Sequence, residues 1–154
     1  MHTLYWTYKH FNSLTTQELY TILSLRSEVF VVEQNCVYLD TDNKDVDAWH
    51  LCGWQDDVLV AYVRILAPGV SYEEASIGRV LTNPTFRKNG YGVELMKVAI
   101  DKTLQQYGVE KIKIGAQLYL LNFYSSLGFT QTSEVYMEDG IPHIEMLYKK
   151  VTAV

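Results

Sequence analysis

Apolar positions along this chain switch between alternation and helical spacing, and the switches mark its elements. Thr3 to Tyr8 alternates and is rich in aromatics, which predicts a first strand. Thr15, with Glu18 three residues later, has the form of a capping box. The helix it opens presents Leu19, Ile22 and Leu23, then Val29 and Phe30, to a core. Trp49–Trp54 and Val58–Ile65 are apolar runs around Gln55-Asp56-Asp57, which predicts a hairpin. Ala67-Pro68-Gly69 is a loop. Ala75–Thr82 is a strand that must stop before Pro84, which cannot donate to a ladder. From Val93, the residues Met96, Ala99, Ile100, Leu104 and Tyr107 recur at helical spacing, and Gly108 ends the helix. Lys111–Ala116 is a strand with Ile112 and Ile114 on one face. Leu120, Leu121, Phe123, Tyr124 and Leu127 form a third helix, with Gly128 as its C′ residue. Phe129–Met137 and Ile141–Lys150 close the chain as a hairpin around Asp139-Gly140.

The order is β, α, β, β, β, α, β, α, β, β. It predicts an α/β fold with a mixed, mostly antiparallel sheet and one parallel crossover through the second helix. At 154 residues the chain is long enough for a substantial core and is expected to form a single domain, 1–154. No repeat, linker or low-complexity segment interrupts it.

A net charge of −5 lacks the basic face a nucleic-acid binder needs. No apolar run approaches the ~20 residues that span a bilayer. The N-terminus, Met-His-Thr-Leu-Tyr-Trp, has no charged region followed by an apolar one, so a cytosolic protein is expected. Cys36 and Cys52 are not a CxxC pair and are expected as free thiols. The acidic run Asp40, Asp42, Asp45 and Asp47 invites an EF-hand reading. That fails, because Lys44 and Asp45 stand at positions five and six and no Glu closes the loop. A solvated loop is the favoured reading, ahead of an attractor for a cationic amine. The histidines and cysteines have no metal-ligand spacing, and no Gly-x-Ser-x-Gly elbow is present.

Chemistry concentrates between the central strand and its helix, in Arg87-Lys88-Asn89-Gly90-Tyr91-Gly92. Gly90 and Gly92 permit positive φ and close approach to the backbone. The helix behind them offers amide donors and a partial positive charge, an anion site suited to phosphate or pyrophosphate. Each charge-assisted hydrogen bond there contributes about 1.5–3 kcal/mol. A Walker loop is absent, and Leu95 occupies the third glycine position of a dinucleotide fingerprint.

What remains, Arg-x-x-Gly-x-Gly, resembles the acetyl-CoA pyrophosphate loop of the GNAT superfamily of N-acetyltransferases. Downstream, Gln117-Leu118-Tyr119-Leu120-Leu121-Asn122-Phe123-Tyr124-Ser125-Ser126-Leu127-Gly128-Phe129 resembles the superfamily's Asn, Phe-Tyr, Gly-Phe pattern, with Gln117 where Asn is usual. Phe30-Val31-Val32-Glu33-Gln34 and Tyr136–Ile144 resemble the ElaA-type bacterial branch. The likeness spans nearly the whole chain.

The resemblance implies the GNAT fold. Two central parallel strands, Ala75–Thr82 and Lys111–Ala116, splay apart to admit the cofactor's pantetheine arm, with helices on both sides. It implies acyl transfer from acetyl-CoA to a small-molecule or peptide amine. The backbone of Lys88, Asn89, Gly90, Tyr91, Gly92 and Val93 would hold pyrophosphate, with Arg87 shaping the loop. Val80, Leu81 and Thr82 would pair with the pantetheine amides, and the Val80 N–H would meet the thioester carbonyl. Gln117 would take the contact that Asn makes elsewhere, one methylene further out. Tyr124 would protonate the departing thiolate, since a phenol holds its proton where a thiol loses it; the competing reading is one more core aromatic among 12 tyrosines.

A lysine-like amine is mostly protonated at neutral pH, so a base is expected, and Glu33, His50, His143 and Glu134 stay open as candidates. Glu33 follows an apolar run where partial burial would raise its pKa. Arg26, Arg64 and Arg79 serve either a substrate carboxylate or, more simply, salt bridges to the acidic residues. Two rivals stand beside the enzyme: a non-catalytic acyl-CoA-binding module, and an acyltransferase fed by an acyl carrier protein. The second needs a basic docking face that this charge disfavours. Dimers are common in the superfamily, so a homodimer stays open.

Overall fold

The computed structural model describes residues 3–151. Residues 1–2 and 152–154, the ends of the expected 1–154 domain, lie outside the described residues. Eight strands among the described residues form one sheet. They are β1 (Tyr5–His10), β2 (Trp49–Gln55), β3 (Val58–Leu66), β4 (Ala75–Thr82), β5 (Lys111–Gln117), β6 (Phe129–Gln131), β7 (Tyr136–Glu138) and β8 (Ile141–Lys149). The order across the sheet is β1-β2-β3-β4-β5-β8-β6, and β7 also pairs with β8. Only β4 and β5 run parallel, joined by α2 (Tyr91–Tyr107). The mixed, mostly antiparallel sheet is the one the pattern predicts.

α1 (Thr16–Arg26) starts at a capping box in which the Glu18 amide donates to Thr15 Oγ1 at 3.0 Å and the Thr15 amide donates to Glu18 Oε1 at 2.8 Å. The chain then continues through π-helical turns, Ser27–Glu33, which no periodicity in the sequence announces. Ile22, Leu25 and Val29 pack on one face of the sheet against Cys52, Leu59, Tyr62 and Leu81. The other face is covered by α2, through Leu95, Met96, Ala99 and Ile100, and by α3 (Leu121–Ser126), through Tyr124. β3 is therefore buried on both sides from Leu59 onward and reads as an apolar run broken at Arg64. Each fully buried Leu or Ile contributes about 1.5–3 kcal/mol.

Two departures from the predicted elements shape the site. The single strand expected over Phe129–Met137 is split into β6 and β7. Between them, Ser133 Oγ accepts the Glu145 amide at 2.8 Å, and the Thr132 amide donates to the Glu145 carbonyl at 2.9 Å. Helix α2 begins at Tyr91, two residues before the first apolar repeat. The β7–β8 turn places Asp139 (φ +50°) and Gly140 (φ +77°) in left-handed conformations, as a two-residue hairpin turn requires. No helix of the described residues is long and apolar enough to cross a membrane.

Candidate active site

β4 and β5 pair only at Ala75–Ile112 and Ser76–Lys113, and then part. The parting has a local cause. Tyr62 opposes Leu81 and Arg64 opposes Gly78, so Arg79 and Val80 together face Val63 alone, and Arg79 adopts φ +51°. This bulge turns the end of β4 away from β5. A cleft of about 480 Å³ fills the gap. Its walls are residues 77–82 of β4 and 114–117 of β5. It extends to Arg87 and Gly92 at the start of α2, to Tyr124 of α3, and to Glu138, Asp139 and His143 at the β7–β8 turn.

The loop ahead of α2 is pinned from within. Asn83 caps a 3-10 turn (Pro84–Phe86), and the Asn89 side chain donates to the carbonyls of Phe86 (2.8 Å) and Arg87 (3.3 Å). Lys88 (φ +69°) and Gly90 (φ +79°) turn the backbone into the helix. A Cβ at Gly90 would meet no atom within 4 Å, so backbone conformation, not space within the fold, demands glycine there. α2 has no side-chain cap among the described residues. The amides of Gly92 and Val93 lie in its first turn, where the helix offers them no carbonyl. Of the expected cofactor residues, Val80, Leu81, Thr82, Arg87, Gly92 and Gln117 border the cleft. Lys88, Asn89, Gly90 and Val93 flank it on the exposed surface, and Tyr91 is buried in the core.

Two side chains are engaged differently from expectation. Arg87 forms a bidentate pair with Glu33, at 2.8 and 2.7 Å. Glu33 is therefore neither buried nor raised in pKa: the Arg87 guanidinium holds its carboxyl below the usual range. Gln117 exchanges hydrogen bonds with Gln34, at 3.5 and 3.3 Å, and so ties β5 to the end of the α1 segment. Tyr124, the proton donor that the resemblance implies, lies in α3. It is buried, borders the cleft and packs edge-to-face on Phe123 and Phe129. Burial raises its phenol, which holds its proton firmly.

The candidate bases separate. His50 does not face the cleft. It is 1% exposed, its Nε2 lies 3.0 Å from the Asp45 carbonyl, and its Nδ1 lies 2.7 Å from the Tyr62 hydroxyl. A carbonyl only accepts, so Nε2 donates and Nδ1 accepts from Tyr62, which satisfies the neutral ring completely. Burial holds its pKa below the ordinary value. Glu134 is exposed and lies off the cleft. His143 is buried and borders the cleft, with Glu138 at its Nε2.

Asp47 is exposed, but the rest of the acidic run is not a solvated loop. Asp40 and Asp45 are buried. Arg26, itself 0% exposed, donates to Asp40 Oδ2 (2.8 Å) and to Asp45 Oδ1 (2.7 Å). Arg64 binds Asp42 and Asp45 at 2.7 and 3.1 Å. Arg79 Nη2 donates to the Asp40 carbonyl at 2.8 Å; its Nε lies 2.8 Å from Asp40 Oδ1, out of line for a hydrogen bond. These carboxylates thus bind arginines and not an amine. The arginines hold Asp45 below the usual carboxylate range and Asp42 at about 2, against the opposing effect of burial. A signal was present in the sequence. Arg64 and Arg79 interrupt apolar strands, and a cation at a buried strand position requires a partner.

Fold and cleft together define an acyltransferase. A family model described as an acetyltransferase (GNAT) domain matches residues 17–150, and the chain belongs to that family. Protein ElaA of Escherichia coli is 42% identical over 150 residues, which are 96% of this chain and 98% of that protein. The crystal structure of an acyl-CoA N-acyltransferase from Pseudomonas aeruginosa matches with a TM-score of 0.90 at 41% identity, covering 95% of this chain and 99% of that one. A GNAT family acetyltransferase from Elizabethkingia anophelis, solved with acetyl-CoA bound, shares the fold alone: TM-score 0.65, 14% identity, 97% of this chain and 99% of that one.

Proposed function

We propose that this chain transfers an acetyl group from acetyl-CoA to a primary amine of a small molecule or peptide, as a single catalytic unit in the cytosol. The observation that carries this reading is the cleft between β4 and β5, which joins the glycine loop at one end to the β7–β8 turn at the other. The Elizabethkingia protein, which shares this fold, holds acetyl-CoA, and the same thioester is assigned to the cleft here. Pyrophosphate falls to the amides at the start of α2, and the pantetheine amides fall to the edge of β4 from Val80 to Thr82, where no β5 pairing reaches. Tyr124 is assigned the proton for the leaving thiolate, since its phenol is protonated at neutral pH and borders the cleft. Nucleic acid and membrane are outside this reading.

Acetyl-CoA, bound only by the folded protein, is expected to raise the melting temperature. Free thiol should then be released in the presence of an amine. No thermal shift at millimolar acetyl-CoA would remove the donor from this reading. A shift without thiol release across a broad amine panel would favour the non-catalytic binding module.

A further inference from the structure

Two of the four candidate bases are closed off from an acceptor: His50 is saturated in the core and Glu134 lies off the cleft. Glu33 borders the cleft but is engaged by Arg87 at the mouth of the glycine loop. His143 is placed otherwise. β8 sets it directly opposite Gln117 of β5 and Tyr136 of β7, so these side chains share one face of the sheet. The Tyr136 ring stacks on the imidazole at 5.9 Å and 28°. The Tyr136 hydroxyl in turn hydrogen-bonds with Tyr72 above Gly115, where a Cβ would come within 2.8 Å of the Tyr72 oxygen. The ring is held from the side and from above.

Its two nitrogens differ. Nδ1 lies 2.7 Å from the Ile141 carbonyl, which can only accept, so Nδ1 carries a proton. In the neutral ring Nε2 then presents a lone pair, and Glu138 Oε2 lies 3.3 Å from it. A lone pair and a carboxylate oxygen at that separation repel, so a proton belongs between them, either on Nε2 itself or on an incoming cationic N–H donor. Both residues border the cleft, and the Glu138 side chain is 58% exposed, within reach of an incoming ligand.

We propose that His143 Nε2 and the Glu138 carboxylate form a two-acceptor cradle that receives the amine substrate as an ammonium ion, and that His143 takes its proton. This rests on the acyl-transfer reading. One substrate N–H bond breaks, its electron pair stays on the substrate nitrogen, and the proton bonds to Nε2. The imidazolium that results donates both its N–H groups, to the Ile141 carbonyl and to Glu138. The substrate nitrogen is left neutral and nucleophilic. Other groups near the ring are Tyr136 and Gln117 from the neighbouring strands, Tyr72 beyond Tyr136, Asp139 in the turn, and Glu145 two residues along β8. Glu145 pairs with Lys113 at 3.5 Å, which leaves Glu138 as the anion in contact with the imidazole.

The test compares ethylamine, an ammonium at neutral pH, with trifluoroethylamine, largely neutral there, as acceptors for thiol release from acetyl-CoA. His143→Gln is expected to lower kcat/KM for ethylamine ~100-fold and to change the weakly basic amine far less. Equal losses for the two amines would reduce the ring to a structural part and overturn the cradle. Glu138→Gln, at an exposed position, keeps the fold intact and should raise the KM for ethylamine about tenfold with little change in kcat, the loss of one charge-assisted hydrogen bond. An unchanged KM overturns the carboxylate's part. A wild-type protein that binds acetyl-CoA but never acetylates ethylamine also overturns the proposal. Nitrogen NMR of the histidine rings needs no donor: a neutral His143 protonated at Nε2, or a ring protonated on both nitrogens at neutral pH, contradicts the cradle. Failure of acetyl-CoA to shift the melting temperature, with the Nδ1 tautomer found, would instead count against the acyl-transfer reading.

Discussion

His50 and His143 each engage a backbone carbonyl through one ring nitrogen, at 3.0 and 2.7 Å. They differ in what meets the other nitrogen. At His50 it is the Tyr62 hydroxyl, inside a closed network of three arginines and three aspartates. At His143 it is a carboxylate at the edge of a cleft. The first ring is saturated in its neutral form and is structural. The second stands beside an exposed carboxylate that borders the cleft, and it is the ring the proposed cradle uses. In this chain the hydrogen-bond partners, and not the residue type, set the two histidines apart.

The comparison can be broken most severely on the closed side. Arg26→Met leaves Asp40 and Asp45 buried without their main cation and should cost about 3–5 kcal/mol in urea unfolding. A loss below ~1 kcal/mol would mean that the carboxylates are solvated after all. On the open side, Tyr124→Phe should slow turnover ~100-fold while leaving coenzyme A affinity nearly unchanged. An unaltered rate would remove that phenol from the chemistry.

A pH series sharpens the contrast. His50 has its folded pKa lowered by burial, whereas the unfolded chain takes up a proton near ~6.5. Below that pH the unfolded state binds more protons, so stability falls as pH drops. Asp42, held at about 2, and Asp45, also lowered, stabilise the fold fully above the unfolded carboxylate value of ~3.9 and give a second fall as pH drops below it towards 2. His50→Gln should flatten the first fall, cost about 1–3 kcal/mol at neutral pH and leave turnover intact. Persistence of that fall in the variant would assign it to another group.

The smallest expected effect lies at the cofactor mouth. Glu33 and Arg87 are each about 40% exposed at the side chain, and such pairs are worth ~0.2–1 kcal/mol. Glu33→Gln frees Arg87 and should tighten coenzyme A binding by at most about fivefold. Weaker binding would show instead that Glu33 orients Arg87 for the ligand.

Much of this was legible in residue order. The capping box at Thr15 and Glu18, the helix stop at Gly108 and the Asp139-Gly140 turn are local devices, and each appears where its residues stand. The glycine loop follows the same rule, because its positive φ values are set within a few residues; the divergence of β4 from β5 was expected only through the resemblance, and its cause, the bulge opposite Val63, needs the pairing with β3. The π-helical turns after Arg26 were not legible, nor was the break between β6 and β7. Both depend on what packs against the segment and not on its own pattern.

The sequence by itself determined most of the element order and the glycine loop, because local backbone preference and apolar periodicity act over a few residues; the placement of Tyr124 at the cleft needed the packing of α3. Only the tertiary structure decided which charges meet. Arg26 and Asp45 are 19 positions apart and Glu33 and Arg87 are 54 apart, and no spacing rule couples them. Whether an aspartate is solvated or buried against arginine, and whether a histidine is closed by tyrosine or open to a cleft, follows from the distances and desolvation that folding imposes on groups far apart in the chain.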